Sequence, residues 1–277
     1  AHKWEPFPDE VVLDNLEALY RSGARHVNLA DSEFFGGGKE TMNGIRRGRK
    51  LAEEMLRRGI KLSIAFSARV DSIWAEGDSE ADRQEKIEAL KIMRRAGFEN
   101  VFLGVESGSA SQLKRYRKGA SVKENEQAVR ILRELGFTFM IGFIPLDPYV
   151  SLEEIRENMR FLKRNDLYLE VSYPINPMRV QPKTAYYNWT LRDGLLGPQT
   201  PRLYDYDSRY QDARVQEAAD TLKQYSQEIG SVFYMIKYMY RTMDLMHIAD
   251  EEQERELLKS IFIRYNKLEA NFLEALV

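Results

Sequence analysis

Residues 98–109, FENVFLGVESGS, decide the fold class. Val101, Phe102, Leu103 and Val105 form an apolar run broken by Gly104, and the run ends in the carboxylate of Glu106 and the hydroxyls of Ser107 and Ser109. A buried parallel strand reads as such a run, and its carboxyl end is where α/β sheets and barrels place their sites. The pattern recurs upstream. HVNLADSEFF (26–35) ends in Asp31, Ser32 and Glu33, and KLSIAFSARVD (61–71) carries Ser67, Arg69 and Asp71 at its end. Several strands thus deliver polar groups to one rim, which argues for an enzyme.

Outward from this stretch, helices alternate with strands. Val12, Leu13, Leu16, Leu19 and Tyr20 recur at helical spacing before Gly23. GGGKETMNG reads as a flexible loop, Ile45–Arg58 as a helix closed by Gly59, and Ser79–Ala96 as a helix ending at Gly97. Helices are also expected near Ala120–Leu135 and over Ser151–Arg164, with TFMIGFIP and YLEVSYPIN as the fourth and fifth strands. Ser79 with Asp82, Ser121 with Glu124 and Ser151 with Glu154 carry capping-box spacing, the first imperfectly. Strands never adjacent in sequence require crossovers, hence a parallel α/β sheet. The short turns at Gly23, Gly59, Gly97 and Gly136 mark repeating βα units.

The chain of 277 residues is 43% hydrophobic and 30% charged, with net charge −2 and both signs interspersed. That balance supplies no case for nucleic-acid or membrane-surface binding. No stretch approaches the roughly 20 apolar residues of a membrane span, and the start shows no signal-peptide pattern, so a cytoplasmic protein is the default expectation. There are no cysteines, which excludes disulfides and thiolate metal sites within these residues. His2, His26 and His247 lack metal-ligand spacing and read as structural or incidental. Gly36–Gly38 lack the Lys and Ser/Thr of a phosphate loop and read as a hinge.

Beyond Asn176 the character changes. Residues 177–209 carry Pro177, Pro182, Pro198, Pro201 and many tyrosines, and read as an irregular crossing segment. From Tyr210 the chain is expected to be helical, with Leu258, Ile261, Phe262, Tyr265, Leu268, Phe272 and Leu276 as one packed stripe. The expected division is a barrel over 1–185, a connector over 186–209 and a helical extension over 210–277. Tyr173, Tyr186 and Tyr187 line a substrate cavity or fill a barrel mouth; the residues alone do not separate these.

HVNLADSEFF, SARVD, FLGVESGSASQLKRYRKGAS and FMIGFIP, in this order, resemble the core of radical S-adenosylmethionine (SAM) enzymes, nearest the group often found with a cobalamin-binding domain. The likeness covers about residues 8–185, and its most specific element is GVESGS…L…KG followed by a helix and IGFIP. The resemblance implies a partial, open TIM-like (β/α)6 barrel with SAM across the carboxyl ends of its strands. It also implies a [4Fe–4S] cluster held by a CxxxCxxC loop after the first strand, and reductive SAM cleavage to a 5′-deoxyadenosyl radical. An electron donor such as flavodoxin or ferredoxin is implied too.

Carried over by position, Asp31, Ser32 and Glu33 replace the family's glycine-glycine-glutamate and lie where the amino group of SAM is met; which carboxylate acts is open. Arg69, next to Ser67, would pair with the methionine carboxylate, where a guanidinium fork suits two oxygens. Glu106, followed by Ser107, would accept from the ribose hydroxyls or the amine. Lys118 would be a second cation, and the backbone of Gly142, Phe143 and Ile144 would border the adenine. On the residues alone, Arg69 is equally an ion-pair partner for Asp71 or Glu106, and Lys118 part of a solvated basic turn.

The three cysteines of the family are absent, and so is any strand before the first helix. The expectation is a chain that starts inside the barrel, with the cluster ligands and any cobalamin domain lying upstream. The alternatives are a cluster-free SAM- or nucleotide-binding barrel, and a lyase or hydrolase using Asp31, Glu33 and Glu106 around a divalent metal. The substrate is not disclosed.

Overall fold

The structure, a computed structural model, describes residues 5–200, 204–246 and 252–277; His2, Pro201 and His247 lie outside the described residues. In chain order the elements are α1 (Asp9–Arg21), β1 (His26–Asn28), α2 (Thr41–Arg58), β2 (Ser63–Arg69), α3 (Val70–Ile73), α4 (Glu80–Arg95) and β3 (Phe98–Glu106). There follow α5 (Ala110–Tyr116), α6 (Val122–Glu134), β4 (Thr138–Phe143), α7 (Leu152–Arg164), α8 (Ala185–Arg192), β5 (Leu196–Gln199), β6 (Tyr206–Ser208), α9 (Ala213–Met246) and α10 (Glu252–Leu276). The chain forms two compact units. One holds the chain up to Val105 with Lys118–Gly142, the other Glu106–Arg117 with the chain from Phe143 onward.

The sheet has the order β1-β2-β3-β4, and the pairs β1–β2 and β2–β3 are parallel. Each helix between them is punctuated as its sequence dictates. Gly59 takes a left-handed φ of 67° and closes α2, and Ser121 and Ser151 complete full capping boxes on α6 and α7. Ser79 caps α4 by accepting from the Asp82 N–H, and its hydroxyl donates to the Asp82 carboxylate.

The helix-facing side of the first unit is an aromatic core. Phe34, Phe35, Phe66 and Phe98 meet with ring centroids 5.2–5.8 Å apart, and Phe137 joins Phe66. Gly44 makes this possible, because a Cβ there would lie 2.1 Å from the Phe35 carbonyl oxygen. β2 alternates cleanly: Ile64, Phe66 and Ala68 are buried while Ser63, Ala65, Ser67 and Arg69 are half-buried on the opposite, open face. β3 departs from the expected buried strand. Phe102 is 45% exposed and pairs in register with Ser67, so one face of the strand stays open.

Four expectations are corrected. The GGGKETMNG loop is helical in its second half, since Gly38–Glu40 form a 3-10 turn and α2 begins at Thr41. YLEVSYPIN is not a strand; it is a series of turns, and the carbonyls of Tyr168 and Val171 are taken by the buried Asn266 side chain at 2.8 and 3.0 Å. Within the connector, α8 and the antiparallel β5–β6 pair are regular structure. In α10, Leu268 is 57% exposed, and the buried face is Phe262, Asn266, Glu269, Ala270 and Leu273.

Candidate functional site

The carboxyl ends of β1 and β2 are stitched together by Glu33. Its Oε1 accepts from the Phe35 N–H (3.1 Å) and the Ser72 hydroxyl (3.2 Å), and its Oε2 accepts from the Arg69 N–H (2.7 Å). Burial pushes this carboxyl above its ordinary pKa range, while the three donors and the Arg69 charge pull against that. Glu33 therefore ties the loop after β1 to the turn after β2. Asp31 and Ser32, two residues upstream, are exposed.

Arg69 ends β2 on the open face. Its Nε and Nη2 each donate to Asp71 at 2.8 Å, and Nη2 also donates to the Lys118 carbonyl at 2.9 Å. Two glycines make room for it. A Cβ at Gly37, where φ is +65°, would lie 3.1 Å from Arg69 Cδ, and one at Gly119 would sit 3.8 Å from Nη2. Beneath the fork, the fully buried Lys86 donates to the Asp71 carbonyl (2.8 Å) and to Asp78 Oδ2 (2.7 Å). Lys86 was invisible as a site residue. Its only signal is that it shares the buried stripe of α4 with Ala89, Leu90 and Met93.

In the second unit, Glu106 ends β3 with a left-handed φ of 65°, and its carbonyl accepts from the Ile144 N–H at 2.7 Å. A non-glycine residue held there is uncommon and sits at sites more often than elsewhere. Ser107 is fully buried: Oγ lies 2.6 Å from Gln112 Oε1 and 2.8 Å from Asn158 Oδ1 and accepts from the Ser109 N–H. Its part is to hold the turn, which Gly108 completes because a Cβ there would strike Phe161 at 2.2 Å. Gln112 donates on to Pro145 O and Asp147. Arg115 forks onto both Asp147 and Glu154, whose charges hold its pKa up against burial. The Tyr116 hydroxyl donates to the Ile144 carbonyl at 2.7 Å, and Phe143 stacks on Phe161. Tyr186 joins the Asp147 network, and Tyr173 bonds Ser226 at 2.9 Å.

A parallel open sheet with a carboxylate-stitched rim and an arginine fork after β2 is a recognisable constellation. The sequence model of the Radical SAM superfamily matches residues 2–162, more than half of the chain. The chain belongs to the radical SAM superfamily.

Relatives within the superfamily share this segment. The 4′-phospho-dehydrooxetanocin synthase of Priestia megaterium is 34% identical over 175 residues, 60% of this chain and 23% of that protein. An uncharacterized methyltransferase of Pyrococcus horikoshii is 25% identical over 207 residues, 73% of this chain and 39% of that protein. The cobalamin-dependent S-adenosylmethionine radical enzyme OxsB with aqua-cobalamin bound superposes with a TM-score of 0.84 at 24% identity, over 98% of this chain and 43% of that one. The last likeness concerns the fold: this radical SAM chain has the partial-barrel sheet with helices that continue past it. It spans less than half the length of each of these relatives. The superfamily implies SAM and a [4Fe–4S] cluster; with no cysteine among the 277 residues, thiolate ligands for that cluster are not among them.

Proposed function

We propose that this chain is the SAM-binding core of a radical SAM enzyme that cleaves SAM reductively, with cluster ligands outside these 277 residues. The observation that carries the reading is the Arg69–Asp71 fork, seated between Gly37 and Gly119 at the carboxyl end of β2. SAM fits the donor set there: it offers a carboxylate, an ammonium and a sulfonium charge. Arg69, with 32% of its side chain exposed, is held rigid and supplies fixed positive charge to the carboxylate. With Glu33 committed to loop amides, Asp31 is the carboxylate that receives the ammonium. Lys118 anchors Arg69 through its carbonyl and brings a second cation. Gly142, the penultimate residue of β4, is small enough to admit the nucleoside at the strand ends.

When bound and reduced, SAM supplies a carbon radical that abstracts hydrogen from substrate. The chain's own residues orient it: Glu33 fixes the two loops against each other, and Lys86 supports Asp71, which fixes Arg69. A flavodoxin- or ferredoxin-type donor would supply the electron. Cobalamin as a second cofactor is supported by the OxsB likeness in fold and by no residue of this chain. A divalent-metal lyase is disfavoured, since no group of three or more His, Cys, Asp or Glu among the described residues is placed to hold a metal.

The test uses the full-length gene product, purified without oxygen and supplied with iron and sulfide. About four irons per chain and 5′-deoxyadenosine formed from SAM under a strong reductant are expected. SAM binding without cluster or cleavage would move the reading to a cluster-free binding module.

A further inference from the structure

The open face of the sheet in the first unit has a composition of its own. Register places Asn28, Ala65 and Asn100 in one row across β1, β2 and β3, and Ser67 and Phe102 in another row closer to Arg69. A β-bulge creates this arrangement. The register slips between Ile64 and Ala65, whose partners are Phe98 and Asn100, so Glu99 is the extra residue. Were the strand regular through Glu99, with Glu99 itself paired, Asn100 and Phe102 would turn to the helix-facing side with Phe98. β4 adds Met140 from its half-buried phase, below Gly142 at the strand end.

No formally charged side chain lies in these two rows. Phe102 is the sole large aromatic in them and is 45% exposed, although aromatic rings of the opposite face are almost wholly buried. Two carboxamides, each both donor and acceptor, lie in the row below it. An exposed flat apolar surface beside neutral two-way hydrogen-bonding groups suits one chemistry: a planar, uncharged ring bearing its own donors and acceptors. Charge is left to the rim, where Arg69 lies two residues, or roughly 7 Å, further along the strand.

We infer that this face is the substrate wall of the enzyme, and that the substrate presents to it a flat, uncharged, hydrogen-bonding ring seated on Phe102 and read by Asn28 and Asn100. The inference rests on the SAM-core reading, which puts the reacting carbon of SAM at the same rim, and it goes further by naming the substrate class. The wall runs deeper into the sheet than the strand ends that read SAM, and so the substrate, rather than the adenine, occupies it.

The test is saturation-transfer NMR on the full-length protein saturated with SAM, using three fragments. Nicotinamide is flat and neutral, nicotinate is flat and anionic, and cyclohexanecarboxamide carries the amide without the flat ring. Nicotinamide should show at least three times the transfer of either analogue. Phe102→Leu, which keeps apolar volume, should abolish that preference with SAM affinity and Tm unchanged, and Phe102→Tyr should retain it. Equal transfer from all three fragments, or an undiminished preference in Phe102→Leu, would overturn the inference. So would loss of nicotinamide binding on adding SAM to the apo protein, which would make Phe102 the platform of the adenine. SAM affinity is measured on the same samples, so a chain that fails to bind SAM overturns the core reading separately.

Discussion

Arg69 and Asp71 form a planar two-bond fork, Nε to Oδ1 and Nη2 to Oδ2 both at 2.8 Å, across the junction where β2 becomes α3. The sequence left open whether Arg69 pairs with an acid of the chain or with the cofactor. The geometry joins the two possibilities: the acid fixes the guanidinium that the cofactor is proposed to use.

Arg69→Lys keeps the charge but loses the fork and the bond to the Lys118 carbonyl. SAM affinity should fall about tenfold, about 1.4 kcal/mol. Asp71→Asn should weaken SAM by a smaller factor, because a looser Arg69 must be ordered on binding. Calorimetric titration of both variants checks this; tighter SAM binding in Asp71→Asn would mean that Asp71 competes with the cofactor.

Glu33 and Asp31 should separate cleanly. Glu33→Gln replaces an acceptor oxygen with an NH2 opposite a donor, so it leaves a loop N–H or the Ser72 hydroxyl unmatched. A loss of about 1–3 kcal/mol and a lower Tm are expected. Asp31→Asn, exposed, should leave Tm unchanged and reduce SAM affinity severalfold. Thermal melts with SAM titrations on both variants decide it, and a stability loss in Asp31→Asn would place that residue in the fold instead.

Lys86→Met removes a fully buried ammonium and strands the Asp78 carboxylate and the Asp71 carbonyl. Breaking one side of a buried pair costs about 3–5 kcal/mol, so urea denaturation should show one of the largest single-site losses in the first unit. A loss below about 1 kcal/mol would contradict the support assigned to Lys86.

Much of this fold was legible because its signals are local. Glycines at 23, 59, 97 and 136 and serines at 121 and 151 stop and start helices through their own backbone chemistry. What was hidden depends on distant partners. YLEVSYPIN has a strand's apolar content, but Asn266, far along the chain, takes its carbonyls. Asn266 and Glu269 face the core of α10, where polar residues leave no mark in a hydrophobic stripe, while the apolar Leu268 points outward. At the site, the acids and Arg69 were visible as residue types at strand ends. That Glu33 is spent on the amides of Phe35 and Arg69, or that Ser107 is buried, follows only from loops meeting in space. The bulge at Glu99, which opens Phe102 to solvent, has no sequence signature.

Glu269 carries a pH dependence. Burial beside Tyr225 and Tyr265 pushes its carboxyl up to about 7, against a hydrogen bond with Tyr265 that lowers it. The folded chain thus holds this proton more tightly than the unfolded one. The stabilisation is full below about 4.5, declines as pH rises toward 7 and is gone above it. The shift corresponds to roughly 3 kcal/mol. Denaturant titrations between pH 5 and 8 should show the wild type losing stability relative to Glu269→Gln; parallel curves would refute the assignment.

The most direct test of the central claim is calorimetric titration of SAM into this chain and its Arg69→Gln variant, with Tm recorded for both. The account predicts one saturable site per chain, at least tenfold weaker in the variant at unchanged Tm. Absence of saturable binding, or equal affinity in the two proteins, would contradict it.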